Sequence, residues 1–392
     1  MTTSLASGGV PQYVVAVFEA LQFRGASTIR LGGLERTEWA DLLEWSGARQ
    51  LTLMLPWLCG ASMPHEIRQH IEACQERYGR RFSKLKSQLF EVTEAFDRAG
   101  IESVVLKGLT HSPAFTPNPL FRAQGDIDLW VPGNEVYRAQ EVLTRLGYAS
   151  GERARSRHLS PMRRPSNWRW RGDRFDPEMP VSVELHFELW SERTEGIAVP
   201  GQGGFWNRRI YRIFDGYSVG VLCEEDLLGF AALHLLLHVL HGEAPVQRAW
   251  EIANFLHARA GDEAFWASWQ ERHHPALKKL EALVFHLAAK WFRCDLSRAV
   301  VEESSGLSDS VYGWLNMFAL SPLTRPFRPN KDELWLHLAL TSGISRARIL
   351  GRRLAPAQLP KSGSLLSRAA HHLYTFLPTV IQGARWYWLR AR

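Results

Sequence analysis

The chain has 392 residues and a mass of 44.7 kDa, with 45% apolar and 22% charged residues, a balance that suits folded globular proteins and excludes disordered, collagenous and repeat classes. The longest apolar stretch, Leu227 to Leu240, contains two histidines and falls short of the ~20 residues a bilayer span needs, so no integral membrane segment is expected. The formal charge is +7, but twelve Lys and Arg against two acids between Thr324 and Arg392 place +10 there and leave −3 for everything before. A length of this order implies two or three domains. The four cysteines, Cys59, Cys74, Cys223 and Cys294, form no CxxC pair, and the N-terminus has no basic region ahead of its apolar part. A cytoplasmic protein is the expectation.

Apolar residues at three- and four-residue spacing predict helices over Val14–Leu21, Trp39–Trp45 and Glu66–Ala99, with Gly100 stopping the last. The pattern then changes. Ile101 to Leu106 is short and rich in β-branched residues, Asp126 to Val131 alternates polar and apolar, and Val181 to Leu189 alternates again, so all three are expected as strands. A helix is predicted over Asn134–Leu146. Helices resume over Glu225–His241, Val246–Ala260, Phe265–His273 and Leu277–Phe292, followed by helical pieces broken by prolines. The expected fold class is α+β. Its divisions are a helical region over 1–99, a small sheet region over 100–222, a helical domain over 223–322 and a basic helical tail over 323–392. Within the sheet region, Glu152 to Arg174 holds eight arginines against two acids, as a solvated insertion or a phosphate-facing one.

The chemistry-bearing residues concentrate on the strands. Side chains alternate along a strand, so Asp126 and Asp128 share one face while Ile127, Leu129 and Val131 take the other. Two carboxylates side by side repel, and a divalent cation is the common resolution, since Mg²⁺ takes one or two carboxylates plus substrate phosphate oxygens. Glu184, His186 and Glu188 likewise share a face. If their strand pairs beside the first, Glu184 becomes a third carboxylate of the same site. Upstream, Leu106-Lys107-Gly108 closes a strand where a helix would begin, a natural seat for a triphosphate. No Walker motif, GxGxxG or GxSxG elbow is present.

In order and type, VVLKG, FRAQGDIDLWV, VELHFEL and EEDLLGFAALHLLLH resemble the uncharacterised nucleotidyltransferase-like family, within the DNA polymerase β-like nucleotidyltransferase superfamily. The resemblance spans about 100 to 260 and, more loosely, the helices before it. It implies a minimal nucleotidyltransferase sheet embedded in N- and C-terminal helices, with Mg²⁺ bound by Asp126, Asp128 and Glu184, which are also the implied catalytic residues. It further implies a nucleoside triphosphate gripped by the Lys107-Gly108 turn. Gly125 and Arg122 ahead of the acidic pair, and His186 beside Glu184, are further candidates for contact with the nucleotide. Two departures stand out: Gly108 is followed by Leu109 and Thr110 where the superfamily usually has Gly-Ser or Gly-Gly, and the gap from Gly108 to Asp126 is longer than in most members. The implied reaction moves a nucleoside monophosphate onto a small-molecule, sugar-like or peptide acceptor. A catalytically silent binding or scaffold member of the fold is the alternative.

His234, His238 and His241 fall on one helical face. Zinc, a lining for the cleft or a buried structural cluster all stay open for them, and Glu251 on the next helix is a candidate to reach back to them. A rival reading as a histidine-based metal hydrolase would require activity that ignores Asp126. The basic, aromatic tail from Leu365 to Leu389 suits packing against the core, or weak contact with a membrane surface or nucleic acid.

Overall fold

The computed structural model describes residues 9–151 and 157–354, together with Ile381 and Ala384, so most of the tail beyond Leu354 and residues 152–156 of the arginine-rich segment lie outside the described residues. Helices α1 (Gln12–Ala20), α2 (Arg36–Ala48) and α3 (His65–Arg98) open the chain. On α3 the buried stripe Ile67, Ile71, Cys74, Tyr78, Phe82, Leu85, Leu89, Val92 and Phe96 repeats at helical spacing. Its end is closed by Gly100 at φ +65°: the Gly100 amide donates to the Asp97 carbonyl and that of Ile101 to the Phe96 carbonyl, both at 2.9 Å. That is the double bond of a glycine-terminated helix, with Ile101 and Phe96 buried in the same cluster.

Among the described residues, seven strands follow in one mixed sheet, ordered β3-β4-β5-β2-β1-β7-β6. They are β1 (Val104–Val105), β2 (Asp126–Trp130), β3 (Ala149–Ser150), β4 (Met162–Arg163), β5 (Ser182–His186), β6 (Ile210–Phe214) and β7 (Tyr217–Val221). The central pair β2 and β5 runs parallel, with Asp126 opposite Ser182 and Asp128 opposite Glu184. Ile127, Leu129, Val183 and Leu185 face α3 and helix α4 (Val136–Arg145), where they form one buried cluster. The opposite face, at Val104, Leu106 and Trp130, meets a second cluster. That cluster joins the N-terminal helices to α5 (Glu224–Leu240), α6 (Val246–Ala258), α7 (Glu263–Arg272) and α8 (Pro275–Phe292). The α+β class is therefore observed, with the sheet held between two apolar layers, and packing runs across the expected limits at residues 99 and 222.

Three expectations change in detail. The strand over Ile101–Leu106 shrinks to two residues. The strand expected to Leu189 ends at His186, because the amides of Phe187 and Glu188 both turn to the Arg157 carbonyl, which takes Glu188 off the ladder. The helix expected after Gly108 is a single 3₁₀ turn, Gly108–His111, since Pro113 has no amide to prolong it. The β6–β7 hairpin was not anticipated. It turns through Asp215-Gly216, both at positive φ (50° and 87°), the residue pair such a two-residue turn favours.

Beneath α5, His273 is wholly buried between Asp226 (Nε2 to Oδ1, 3.1 Å) and Glu281 (Nδ1 to Oε1, 2.9 Å). Burial alone would lower its pKa, but the two carboxylates outweigh it and raise it to about 9. A folded value above the unfolded one of ~6.5 means stabilisation that is full below pH ~6.5 and lost as pH rises through 9, roughly 3 kcal/mol in all. Urea midpoints of the native chain are accordingly expected to fall between pH 6 and 9.5, and to fall less in His273→Asn. Equal slopes in the two proteins would contradict this.

Candidate active site

The acidic face is set from below. From α3, the Tyr78 hydroxyl donates to the Arg122 carbonyl and accepts the Gln124 amide at 2.8 Å. One turn on, the fully buried Arg81 donates to the carbonyls of Met179, Asp176 and Gly125. One helix thus clamps the approaches to both β2 and β5, and so fixes where Asp126 and Glu184 emerge. Neither clamp was singled out from sequence. The signal lay in Arg81 itself, a charge on the apolar stripe between Tyr78 and Leu85.

Asp128 lies at the centre of the face, 1% exposed. Its Oδ1 takes Lys107 Nζ at 2.9 Å and His186 Nε2 at 2.9 Å, while its Oδ2 is buried and, among the described residues, has no hydrogen-bond partner. Burial alone would raise this carboxyl, but Lys107 and His186 outweigh it and hold it below the ordinary carboxylate value. Asp126, the next residue on the same face, is shifted up, first by the charge of Asp128 and then by burial. Glu184 presents Oε2 3.8 Å from His186 Nε2 and 3.6 Å from His158 Nε2. His158 bridges to His186 across the sheet, and their rings pack at 4.8 Å. His158 comes from the arginine-rich segment, whose composition carried no strand signal. Asp128, Glu184 and His186 each bring a ligand atom within 4.8 Å of the others, and Asp126, the preceding residue on that face, is not one of this close group. An oxygen-rich set with an orphaned, buried Asp128 Oδ2 fits a hard divalent cation.

Gly108 sits at φ +74°, and a Cβ there would lie 2.1 Å from Gln124 Oε1. The Gln124 side chain donates to the Asp126 carbonyl at 2.6 Å, so the glycine lets the Lys107 turn close over the root of β2. Gly125 accepts from Arg81 and borders a cavity of about 630 Å³ together with Asp126, Glu184, Trp168 and Trp170. Arg163 and Arg164 also line that cavity, so part of the arginine-rich segment faces the acidic residues. Arg164 is tied to Glu91 at 2.5 Å.

Arg122 is buried and paired with Glu251, which also takes His111 Nδ1 at 3.2 Å and Gln247 Nε2 at 2.6 Å. Burial would raise the Glu251 carboxyl, and Arg122 and His111 hold it down. Glu251 thus serves this pair rather than the α5 histidines. Those diverge: His241 bonds Glu195 at 3.0 Å and His238 bonds Glu243 at 2.5 Å, while His234 and His238 share Arg248. Burial, then Lys107 and Arg248, push His234 well below its usual pKa, and burial with Arg248 brings His238 to about 4. Among the described residues they converge on no common metal position.

A parallel β2–β5 pair with three carboxylates on one face, a Lys-Gly turn at its root and a helical layer above is the arrangement expected of a nucleotidyltransferase. The profile of the uncharacterised nucleotidyltransferase family matches residues 35–293. The chain belongs to that family. The matched region of this nucleotidyltransferase-family chain runs from the start of α2 to the end of α8 and so takes in the sheet, the α3–α4 layer and helices α5 to α8 of the opposite layer. No curated protein and no solved structure matches the chain. Among the described residues, no helix is long and apolar enough to cross a membrane.

Tyr78→Phe, which strips the Gln124 amide and the Arg122 carbonyl of their shared partner, is expected to cost about 1–3 kcal/mol in urea unfolding. A loss under 0.5 kcal/mol would show that the clamp is not needed.

Proposed function

We propose that the protein transfers a nucleoside monophosphate from a nucleoside triphosphate to an acceptor, using Mg²⁺ held by Asp126, Asp128 and Glu184. The observation that carries this reading is the buried, unpartnered Asp128 Oδ2 in a face of three carboxylates. Bound there, divalent cations would polarise the α-phosphate and neutralise charge building on the leaving pyrophosphate. The chain's own groups have separate tasks. Lys107, anchored on Asp128 Oδ1, supplies a fixed positive charge to the phosphates beside the Gly108 turn. Glu184, at the edge of the 630 Å³ cavity, accepts the proton as the acceptor oxygen attacks the α-phosphorus. The bond from that phosphorus to its bridging oxygen breaks, and pyrophosphate carries the electron pair away. His186 and His158 hold the Glu184 carboxylate in place. Arg122, engaged by Glu251, positions the segment before β2 and is not assigned to the phosphates.

The silent-scaffold alternative draws on one observation: Lys107 and His186 already neutralise Asp128 without a cation. The products distinguish the two. With α-labelled triphosphate, Mg²⁺ and water standing in for the acceptor, slow formation of nucleoside monophosphate and pyrophosphate is expected. Glu184→Gln should cut that rate about 100-fold or more. Formation of diphosphate and inorganic phosphate, or no turnover, would overturn the transferase reading.

Gly108→Ala tests the turn. The added methyl meets Gln124 and forces a left-handed backbone onto alanine, so a stability loss of about 1–3 kcal/mol is expected with weakened triphosphate binding. Unchanged unfolding and binding would show that the close approach is unnecessary.

A further inference from the structure

A second cavity, of about 570 Å³, opens between the end of α2, the α5–α6 turn and the segment around Pro322 to Pro329. Three arginines from distant parts of the chain line it: Arg49, Arg248 and Arg325. Their counter-charges are sparse. Arg325 donates to the Gly242 carbonyl at 2.5 Å and lies 3.5 Å from Glu333. Arg49 rests over the Trp45 ring at 5.5 Å, and the Arg248 guanidinium bonds the rings of His234 and His238. Among the described residues, no carboxylate lies within 4 Å of Arg49 or Arg248, and the Arg248 Nε is buried without a hydrogen-bond partner. Among the described residues of the lining, Glu243 is the one carboxylate, and it is taken by His238 at 2.5 Å.

Like charges brought together in a concave, part-buried site repel, and a guanidinium removed from water needs a counter-ion. An anion of two or more charges meets both needs, and forked guanidinium donors match phosphate oxygens. Gln50 lines this cavity and also an adjoining one of about 230 Å³ that reaches Gln124 and Gly125, and Gly125 in turn borders the acidic cavity. Arg248 acts electrostatically on both Asp126 and Asp128.

We propose that Arg49, Arg248 and Arg325 form a phosphate-binding subsite, continuous with the acidic face, that holds phosphate groups of a ligand undergoing reaction there. The proposal rests on the nucleotidyl-transfer reading for what reacts, but not for whether the anion binds. The phosphates belong either to the distal end of the triphosphate or to a phosphorylated acceptor.

The test is calorimetric titration of the full chain with inorganic pyrophosphate, without metal. Native protein is expected to bind, and Arg49→Gln and Arg248→Gln to weaken binding by about tenfold or more each. Arg145→Gln, on the exposed outer face of α4, controls for net charge and should change nothing. Arg49 is half-exposed, so its variant keeps the test valid if Arg248→Gln melts early. A parallel loss of ATP affinity in Mg²⁺ assigns the subsite to the nucleotide, and an unchanged ATP affinity assigns it to a phosphorylated acceptor. No pyrophosphate binding by the native chain, or equal binding by native, Arg49→Gln and Arg248→Gln, overturns the subsite. That result would leave the monophosphate-and-pyrophosphate readout of the acidic face untouched, so the two readings fail separately.

Discussion

The structure depends on one buried carboxylate. Asp128 sits at the middle of the sheet with almost no access to water, a position that costs several kcal/mol for an ion without partners. Lys107 from the preceding turn and His186 from the neighbouring strand meet it at 2.9 Å each, so three separate segments converge on a single oxygen. Such a pair is poor evidence of net stability, because burying the ions offsets most of the attraction. It is good evidence of register: no other alignment of β2 against β5 would set Lys107 and His186 on Asp128. The second oxygen, left without a partner, faces the same side as Asp126 and Glu184.

Two apolar layers hold that arrangement. Below the sheet, α3 supplies both the stripe that packs against Ile127 and Leu129 and the polar clamps, Tyr78 and Arg81, that fix the loops leading into β2 and β5. Above it, Arg248 and the half-buried ring of His234 come from the C-terminal helices, and Arg122 from the loop before β2, to line the space beside Lys107. Alternating acid and base in this way keeps a highly charged site foldable without its ligands. It also keeps the charges pre-positioned, which is the condition for electrostatic catalysis rather than binding alone.

The local pattern was legible where its period was clean. The two-residue alternation of DIDLWV and VSVELHFEL placed Asp126, Asp128, Glu184 and His186 on one face, and the three- and four-residue spacing of α3 gave its buried side. What escaped was long-range. That Glu251 would turn to Arg122 and His111 depends on how α6 crosses the loop before β2, which no spacing within either segment encodes. His158 pairs with His186 through a two-residue contact inside an arginine-rich run. The β6–β7 hairpin had a local signal, Asp215-Gly216 between alternating segments, that the helical surroundings obscured. The shortened helix at Gly108 shows a tertiary constraint overriding a turn signal: Gln124 lies against the glycine and Pro113 ends the turn.

The central claim is that the acidic face is a cation-dependent triphosphate site. The most direct measurement is calorimetric binding of the four nucleoside triphosphates, with and without Mg²⁺, to the native chain and to Asp126→Asn/Asp128→Asn. Binding of at least one triphosphate that requires Mg²⁺ and disappears in the double variant is the predicted result. No binding, or binding indifferent to Mg²⁺ and to both substitutions, would contradict it.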